Sequence, residues 1–163
     1  MNSKRGQILF EQFNACYNEE NWFIPLTKAL EGLTDEQFNR KPGDNVHSIR
    51  QLVDHLLFWN ERYLMRIKDV PLDTIKIEKD NDPTFNMYDS LSKDELIKKM
   101  YQVFDELSDI IKNISDEKLD ENVFKNFPDN QSKWWEIFEN INIHNAYHTG
   151  QIMLVRKQLN LNK

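Results

Sequence analysis

Apolar side chains recur at helical spacing along four long stretches of this 163-residue chain, and this periodicity constrains the fold more than any other feature. The first stretch spans about residues 5–31, and the second spans about residues 48–70. The third runs from residue 92 to about residue 114, and the fourth spans about residues 132–159. Only 4 glycines and 5 prolines interrupt the chain, as long helices require. The pattern predicts an all-α fold.

Helix-start signals support two of these assignments. Ser48 is followed three residues later by Gln51, and Ser92 is followed in the same way by Glu95. Both pairs match the capping box, in which each side chain bonds the backbone amide of the other residue. We therefore expect long helices to begin directly after Ser48 and Ser92.

The segments between and within the stretches carry further signals. Pro25 lies inside the first stretch and, because proline lacks an amide donor, should kink or interrupt that helix. Residues 33–38 and 114–119 each resemble a capped short turn of helix placed before the next long helix. Residues 71–91 form a long connection, which either crosses one end of the bundle and walls a site or simply runs over the surface.

Charge and composition narrow the possible functions. The net charge is −6 and no stripe of Lys and Arg stands out, so nucleic-acid binding is not expected. No apolar run reaches membrane-spanning length and no secretory signal is visible, so we expect a cytoplasmic protein without membrane attachment. The single cysteine, Cys16, agrees with that compartment. The length fits one domain over residues 1–163.

Two histidines in the fourth stretch have the spacing of metal ligands. His144 and His148 lie slightly more than one helical turn apart, so both rings point the same way, roughly 6 Å apart along the axis. Zincin metalloproteases use this spacing with a glutamate directly after the first histidine as general base. Asn145 occupies that position here, so a metalloprotease is poorly supported.

A third ligand is available from the second stretch. His55 lies on its apolar stripe, where a polar ring needs a partner, and a metal ion shared with His144 and His148 would supply one. Two alternatives stay open: the histidine pair could lie on a solvated helix face, and His55 could be a hydrogen-bonded core residue. The metal site explains three of the four histidines together. His47 precedes the helix cap, should be exposed, and is left out.

The neighbours of these histidines give modest support. Gly150 costs helix stability, so a packing reason is expected for it. Five polar residues could orient the imidazole rings, although each alone could equally be an ordinary surface residue: Asp54, Asn60, Glu61, Asn145 and Gln151.

Two motifs resemble those of the DinB-like superfamily. Residues 47–56 are similar to its second-helix motif, in which a Ser-initiated helix presents a metal-binding histidine. Residues 144–152 resemble its fourth-helix signature, His-x-x-x-His-x-Gly-Gln-Ile. Shorter phrases at residues 22–26, 33–37 and 55–59 are similar too, so the resemblance covers the whole chain.

The resemblance implies a four-helix bundle of up-down-down-up topology, with a long crossover connection between its second and third helices. It implies that His55, His144 and His148 bind zinc, nickel or a similar divalent metal ion, and that the protein is a homodimer. Characterised relatives include metal-dependent transferases and isomerases that use a low-molecular-weight thiol. The Lys-, Asn- and Ile-rich composition suggests an AT-rich bacterial genome, which by association fits a user of bacillithiol better than a user of mycothiol.

The expected chemistry follows from the ligand set. Three neutral imidazoles leave at least one coordination position open, as in catalytic metal sites. A bound thiol would give S-transfer to a small electrophile, and bound water would give hydrolysis. Because of the relatives, we expect a thiol S-transferase acting on a small-molecule substrate. The alternatives are a metal-dependent hydrolase and a non-catalytic metal-binding bundle, the latter favoured if side chains block the open face.

Overall fold

The computed structural model describes residues 3–70, 81–125 and 130–161, and within these ranges the chain is all-α, as predicted. Four helices are long: α1 (Lys4–Tyr17), α4 (Ile49–Ile67), α5 (Lys93–Asn113) and α7 (Trp134–Gln158). Three are short: α2 (Leu26–Leu30), α3 (Asp35–Asn39) and α6 (Asp116–Leu119). A 3₁₀ helix, Asp82–Asn86, lies in the connection between α4 and α5.

The four long helices pack on one another around a hydrophobic core. α1 contacts α5 and α7, and α4 contacts the same two helices. Phe13, Phe104 and Phe138 are fully buried between them. Each such side chain contributes about 1.5–3 kcal/mol by leaving water. This packing holds α4 and α7, the two helices that carry the three candidate ligands, side by side.

The predicted helix starts are confirmed. The Ser48 hydroxyl accepts the Gln51 amide proton, and the Gln51 side chain accepts the Ser48 amide proton, at 3.2 and 3.1 Å. Ser92 forms the same box with the glutamate three residues after it, at the start of α5. The two short capped helices also form where the sequence predicts them, with Thr34 capping α3 and Ser115 capping α6.

The interruption predicted at Pro25 is confirmed, but the break in the first stretch is longer than the apolar pattern indicated. α1 ends at Tyr17, and the next helix, α2, does not begin until Leu26. Pro25 is the N-cap of α2, where its missing amide costs no intrahelical hydrogen bond. Trp22, which extended the apolar pattern, is 98% exposed. Phe23 and Ile24, the next two residues, are 45% and 46% exposed. These apolar residues therefore have helical spacing in the sequence although they lie on the surface and outside any helix.

The connection between α4 and α5 is described in part. Residues 71–80 lie outside the described residues, so the predicted path of that half is not observed. The second half contains the 3₁₀ helix, which packs against α4. No helix in the described part of the chain has the length and hydropathy needed to span a bilayer.

The prediction that Gly150 has a packing role is wrong. It lies within α7 with its surface exposed, and a Cβ atom placed on it would meet no atom within 4 Å. Gly6 is different, because a Cβ atom there would lie 3.1 Å from Cγ2 and 3.3 Å from the carbonyl oxygen of Ile114. The absence of a side chain at Gly6 lets α1 approach the end of α5 closely.

These two glycines give a matched test of the helix packing. Gly150→Ala should raise the free energy of unfolding by about 0.5–1 kcal/mol, because alanine favours the helix and has room there. Gly6→Ala has the same helical advantage but must displace Ile114, so it should be less stable than Gly150→Ala. Urea unfolding of metal-free protein followed by circular dichroism measures both. If Gly150→Ala were less stable than the wild type, the conclusion that Gly150 has no packing role would be wrong.

Candidate metal centre

Three histidines from two helices converge at one point. The His55 ring centroid lies 5.0 Å from that of His144 and 4.7 Å from that of His148. The centroids of His144 and His148 lie 4.4 Å apart. One ring nitrogen from each residue lies within 4.8 Å of the other two. Nitrogens bound to one tetrahedral zinc ion at about 2.0–2.1 Å lie roughly 3.3 Å apart, so this cluster could hold one metal ion after small ring rotations.

The three rings are uncharged at neutral pH. Burial, together with the neighbouring imidazoles, lowers the pKa of His55 to about 3 and that of His144 to about 4. Burial also lowers the pKa of His148. Only a neutral imidazole has a free nitrogen lone pair for a metal ion. The environment therefore keeps all three side chains in the form that binds metal.

A hydrogen bond fixes which nitrogen of His55 carries the proton. His55 Nδ1 lies 2.6 Å from Oγ1 of Thr84. The Thr84 hydroxyl donates its single proton to the carbonyl oxygen of Asn81, so Oγ1 accepts a proton from His55 Nδ1. The unprotonated Nε2 of His55 then faces the cluster, 3.1 Å from Nε2 of His144.

His148 is oriented in the same way from α7. Its Nδ1 lies 2.7 Å from Oε1 of Gln151, and this oxygen can only accept, so Nδ1 donates. The Gln151 amide group donates in turn to the Tyr147 hydroxyl oxygen at 3.1 Å. Histidines that bind metal usually donate their other ring proton to a protein oxygen, as His55 and His148 do here. The donor pattern thus fits a metal site.

An aromatic stack also holds the His55 ring. Phe85 stacks on His55 with centroids 4.2 Å apart and on His47 with centroids 3.9 Å apart, both nearly parallel. Two rings cannot occupy the same face at these distances, so Phe85 lies between the two imidazoles. His47 is exposed, as predicted, yet it supports the site through this stack.

The 3₁₀ helix that carries Thr84 and Phe85 is itself tied to α4. Arg50 donates to the carbonyl oxygens of Tyr88 and Leu91, at 2.9 and 2.7 Å. The Tyr88 hydroxyl donates to Glu61, which also pairs with Lys99 of α5. These contacts place the connection against the histidine cluster.

Sequence reasoning missed Thr84 and Phe85. Asp82 and Pro83 mark the start of a short helix, since proline is favoured at the first helical positions. No periodic pattern, however, relates Thr84 to His55, which lies 29 residues earlier in the chain. Only the folded connection brings the two together.

The five polar neighbours proposed from sequence have different roles. Gln151 orients His148, as described above. The side-chain amides of Asn60 and Asn145 bond each other at 2.9 and 3.2 Å, fully buried between α4 and α7. Glu61 bonds Tyr88 and Lys99 rather than a histidine. Asp54 is buried, and burial raises its pKa to about 7.

Comparison with known proteins decides the family. A family model of the DinB superfamily matches residues 25–152, well over half of the chain. The chain belongs to the DinB superfamily. Both motifs that carried the resemblance, residues 47–56 and 144–152, lie inside the matched region. No curated protein and no solved structure matches the chain.

The histidine cluster of this DinB-superfamily chain opens onto a cavity. Its volume is about 490 Å³, within the range of small-molecule sites. His55 and His144 form one part of its wall. The remaining described residues that line it come from α4, α7 and Asn81: Trp59, Asn60, Tyr63, Ile137, Asn140, Ile141, Ile143 and Tyr147.

The hydrogen bond to Thr84 gives a test of the site in this DinB-superfamily protein. Thr84→Val keeps the shape of the side chain but removes the acceptor for His55 Nδ1. Zinc affinity should fall roughly 10- to 100-fold, as is usual when a partner of a metal-binding histidine is lost. Competition with a chromophoric chelator measures this affinity.

Thr149→Val is the matched control. Thr149 is as buried as Thr84, but its hydroxyl bonds the carbonyl oxygen of Asn145 and no imidazole. This variant should bind zinc like the wild type. Equal affinities of Thr84→Val and Thr149→Val would contradict the assigned role of Thr84.

Proposed function

We propose that this protein binds one divalent metal ion, zinc or nickel, through His55, His144 and His148. The metal ion serves to transfer a low-molecular-weight thiol onto a small electrophile. The observation that carries the proposal is the cavity of about 490 Å³, which reaches two of these histidines. A non-catalytic bundle would be favoured if side chains blocked the approach to the ion, and the cavity argues against such a block.

A divalent metal ion held by His55, His144 and His148 would supply a coordination position at which the pKa of a bound thiol is lowered. The protein's own residues prepare this site. Thr84 and Gln151 hold the rings of His55 and His148 with their Nδ1 protons turned away. Ile137 and Ile141 give the cavity an apolar wall that disfavours bulk water.

The cavity lining supports a thiol rather than water as the nucleophile. Zincin enzymes that activate water rely on a glutamate base. No aspartate or glutamate occurs among the described residues that line the cavity. Asn145, in the position of the zincin glutamate, is bonded to Asn60. A thiol coordinated to a metal ion loses its proton without such a base.

The sulfur must come from a cosubstrate. Cys16 is buried, and burial raises the pKa of its thiol to about 11, so it is not an activated nucleophile. Bacillithiol is the first thiol to test, since the composition favours it. A metal-dependent hydrolase is the alternative activity.

The proposal includes the arrangement of the whole chain as one domain, residues 1–163, with its long helices running up, down, down and up. Ion pairs support a common direction for α4 and α5. Glu61 pairs with Lys99, and Lys68, the C-cap of α4, pairs with Glu106, further along α5. Two neighbouring parallel helices need a long crossover connection, which residues 71–91 would provide.

Contacts between α4 and α7 support opposite directions for these helices. His55 meets His148, whereas Asn60, further along α4, meets Asn145, earlier in α7. This antiparallel packing agrees with the last step of the proposed topology.

A cytoplasmic homodimer completes the proposal. Exposed apolar side chains on α7 support self-association, since Ile143 and Tyr147 are each 61% exposed and Leu154 is 54% exposed. Size-exclusion chromatography with light scattering measures the oligomeric state. A monomer at micromolar concentration would contradict the proposed homodimer and leave the proposed chemistry unaffected.

Turnover tests the proposed function directly. Zinc- or nickel-loaded protein should conjugate chlorodinitrobenzene with bacillithiol, and glutathione and cysteine serve as alternative thiols. The rate should depend on both metal and thiol, because coordination deprotonates a thiol that is mostly protonated in solution at neutral pH. His148→Ala should react at the uncatalysed rate. Product absorbance reports the reaction.

Two outcomes of this assay would contradict the proposal. Ester or amide hydrolysis that requires the metal ion but no thiol would favour the hydrolase. A metal-loaded protein without any metal-linked rate for the three thiols would favour the non-catalytic bundle.

A further inference from the structure

The cavity beside the histidines has an aromatic wall and an aliphatic wall. Trp59 and Tyr63, one turn apart on α4, stack with centroids 6.4 Å apart and planes 28° apart. The Trp59 and His55 rings are nearly perpendicular, with centroids 6.3 Å apart. Ile137 and Ile141 line the cavity from α7. A flat ring can therefore lie between the two helices and extend to the histidine cluster.

The lining carries no formal charge. Among the described residues around the cavity there is no Asp, Glu, Lys or Arg. The guanidinium group of Arg62 lies 5.6 Å from the Trp59 ring centroid but is not part of this lining. A charged ligand would lose its hydration here without gaining a counter-charge from these walls.

Most amide groups of the lining are already used. The Asn60 amide donates to the carbonyl oxygen of Leu56 and to Asn145, at 2.8 and 2.9 Å. The Asn140 amide donates to the carbonyl oxygen of Glu136 at 2.9 Å. The cavity therefore offers few side-chain donors to a polar ligand.

Tyr63 lines the cavity and carries a hydroxyl that can donate a hydrogen bond. It follows His55 by eight residues on α4, which is about 12 Å along the helix axis. Burial raises the pKa of its hydroxyl, so the group keeps its proton at neutral pH. A ligand of two fused rings can span from the histidines to this hydroxyl.

We propose that the cavity binds an uncharged, flat aromatic electrophile. Its ring lies between Trp59 and the two isoleucines, its reactive carbon faces His55 and His144, and a hydrogen-bond acceptor faces Tyr63. Trp59 and Tyr63 are the residues that determine specificity. The role of the reactive carbon rests on the proposed thiol transfer, whereas binding of the ring requires no metal ion.

The reaction balances for an aryl chloride of this class. The sulfur of the thiol forms a bond to the ring carbon that carries chlorine. The carbon–chlorine bond breaks, chloride leaves with the bonding electrons, and the thiol proton passes to solvent. No oxidant or reductant is needed.

Binding of two probes of nearly equal shape tests the proposal without turnover. 2-Naphthamide is uncharged, and 2-naphthoate carries a carboxylate in place of the amide. Isothermal titration calorimetry of the full, chelator-treated protein should give at least about 10-fold tighter binding of the amide, because the carboxylate finds no counter-charge. Equal or tighter binding of 2-naphthoate, or no binding of either probe, would overturn the proposal.

Variants locate the probe within the cavity. Tyr63→Phe should weaken 2-naphthamide binding about 3- to 10-fold through the lost hydrogen bond, and Trp59→Leu should weaken it roughly 10-fold. Tyr101→Phe and Trp135→Leu are the matched controls, because neither residue lines the cavity. Circular dichroism verifies that each variant is folded. If the cavity variants bind like their controls, the probe lies elsewhere and the proposal is wrong.

Variant kinetics separate this proposal from the proposed function. With metal and thiol present, Trp59→Leu should lower kcat/KM for chlorodinitrobenzene roughly 10-fold relative to Trp135→Leu. Equal kcat/KM values with metal-linked turnover would overturn the substrate site and keep the thiol transfer. Binding of 2-naphthamide in the cavity without metal-linked turnover would support the ligand class and contradict the thiol transfer.

Discussion

The reciprocal hydrogen bonds between the Asn60 and Asn145 amides fix how α4 lies on α7, and the histidine cluster depends on that register. Both side chains are fully buried, so a shifted pairing would leave polar groups without partners at about 1–3 kcal/mol each. Asn145 directly follows His144, and Asn60 lies five residues after His55. A slip of one helical turn would move His55 about 5.4 Å along α7 and separate the ring nitrogens.

The sequence predicts the parts of this molecule that depend on local rules. Helical spacing and the Ser48 cap define α4, and the spacing of His144 and His148 alone aligns their rings. His55 could be added because it lies on an apolar stripe. Local patterns failed at Trp22, an exposed residue that fits a helical stripe, and at Gly150, which has no packing role.

Local rules of this kind cannot predict contacts between residues that lie far apart in the chain. The bond from His55 to Thr84 arises because the 3₁₀ helix Asp82–Asn86 packs against α4, and the hydrogen bond from Arg50 to Tyr88 holds it there. No periodic pattern in the sequence relates Thr84 to His55. The proton arrangement at His55 follows from this fold rather than from its own helix.

The histidine cluster and the cavity beside it share one property, which is that their side chains are uncharged. Burial keeps the imidazoles neutral, and the walls formed by Trp59, Tyr63 and the isoleucines add no counter-charge. A metal ion would then be the main charge in the site, with its field little screened by neighbouring side chains. Such a site favours chemistry in which the metal ion activates a nucleophile beside an uncharged partner.

Metal content tests the central claim most directly. Elemental analysis of purified protein saturated with zinc and desalted should give about one ion per chain, as expected for a single three-histidine site. His55→Ala, His144→Ala and His148→Ala should each lose most of this metal, and Thr149→Val, which removes no imidazole contact, should keep it. Metal content that is unchanged in any of the three variants, or a wild-type protein that retains no metal, would contradict the assignment.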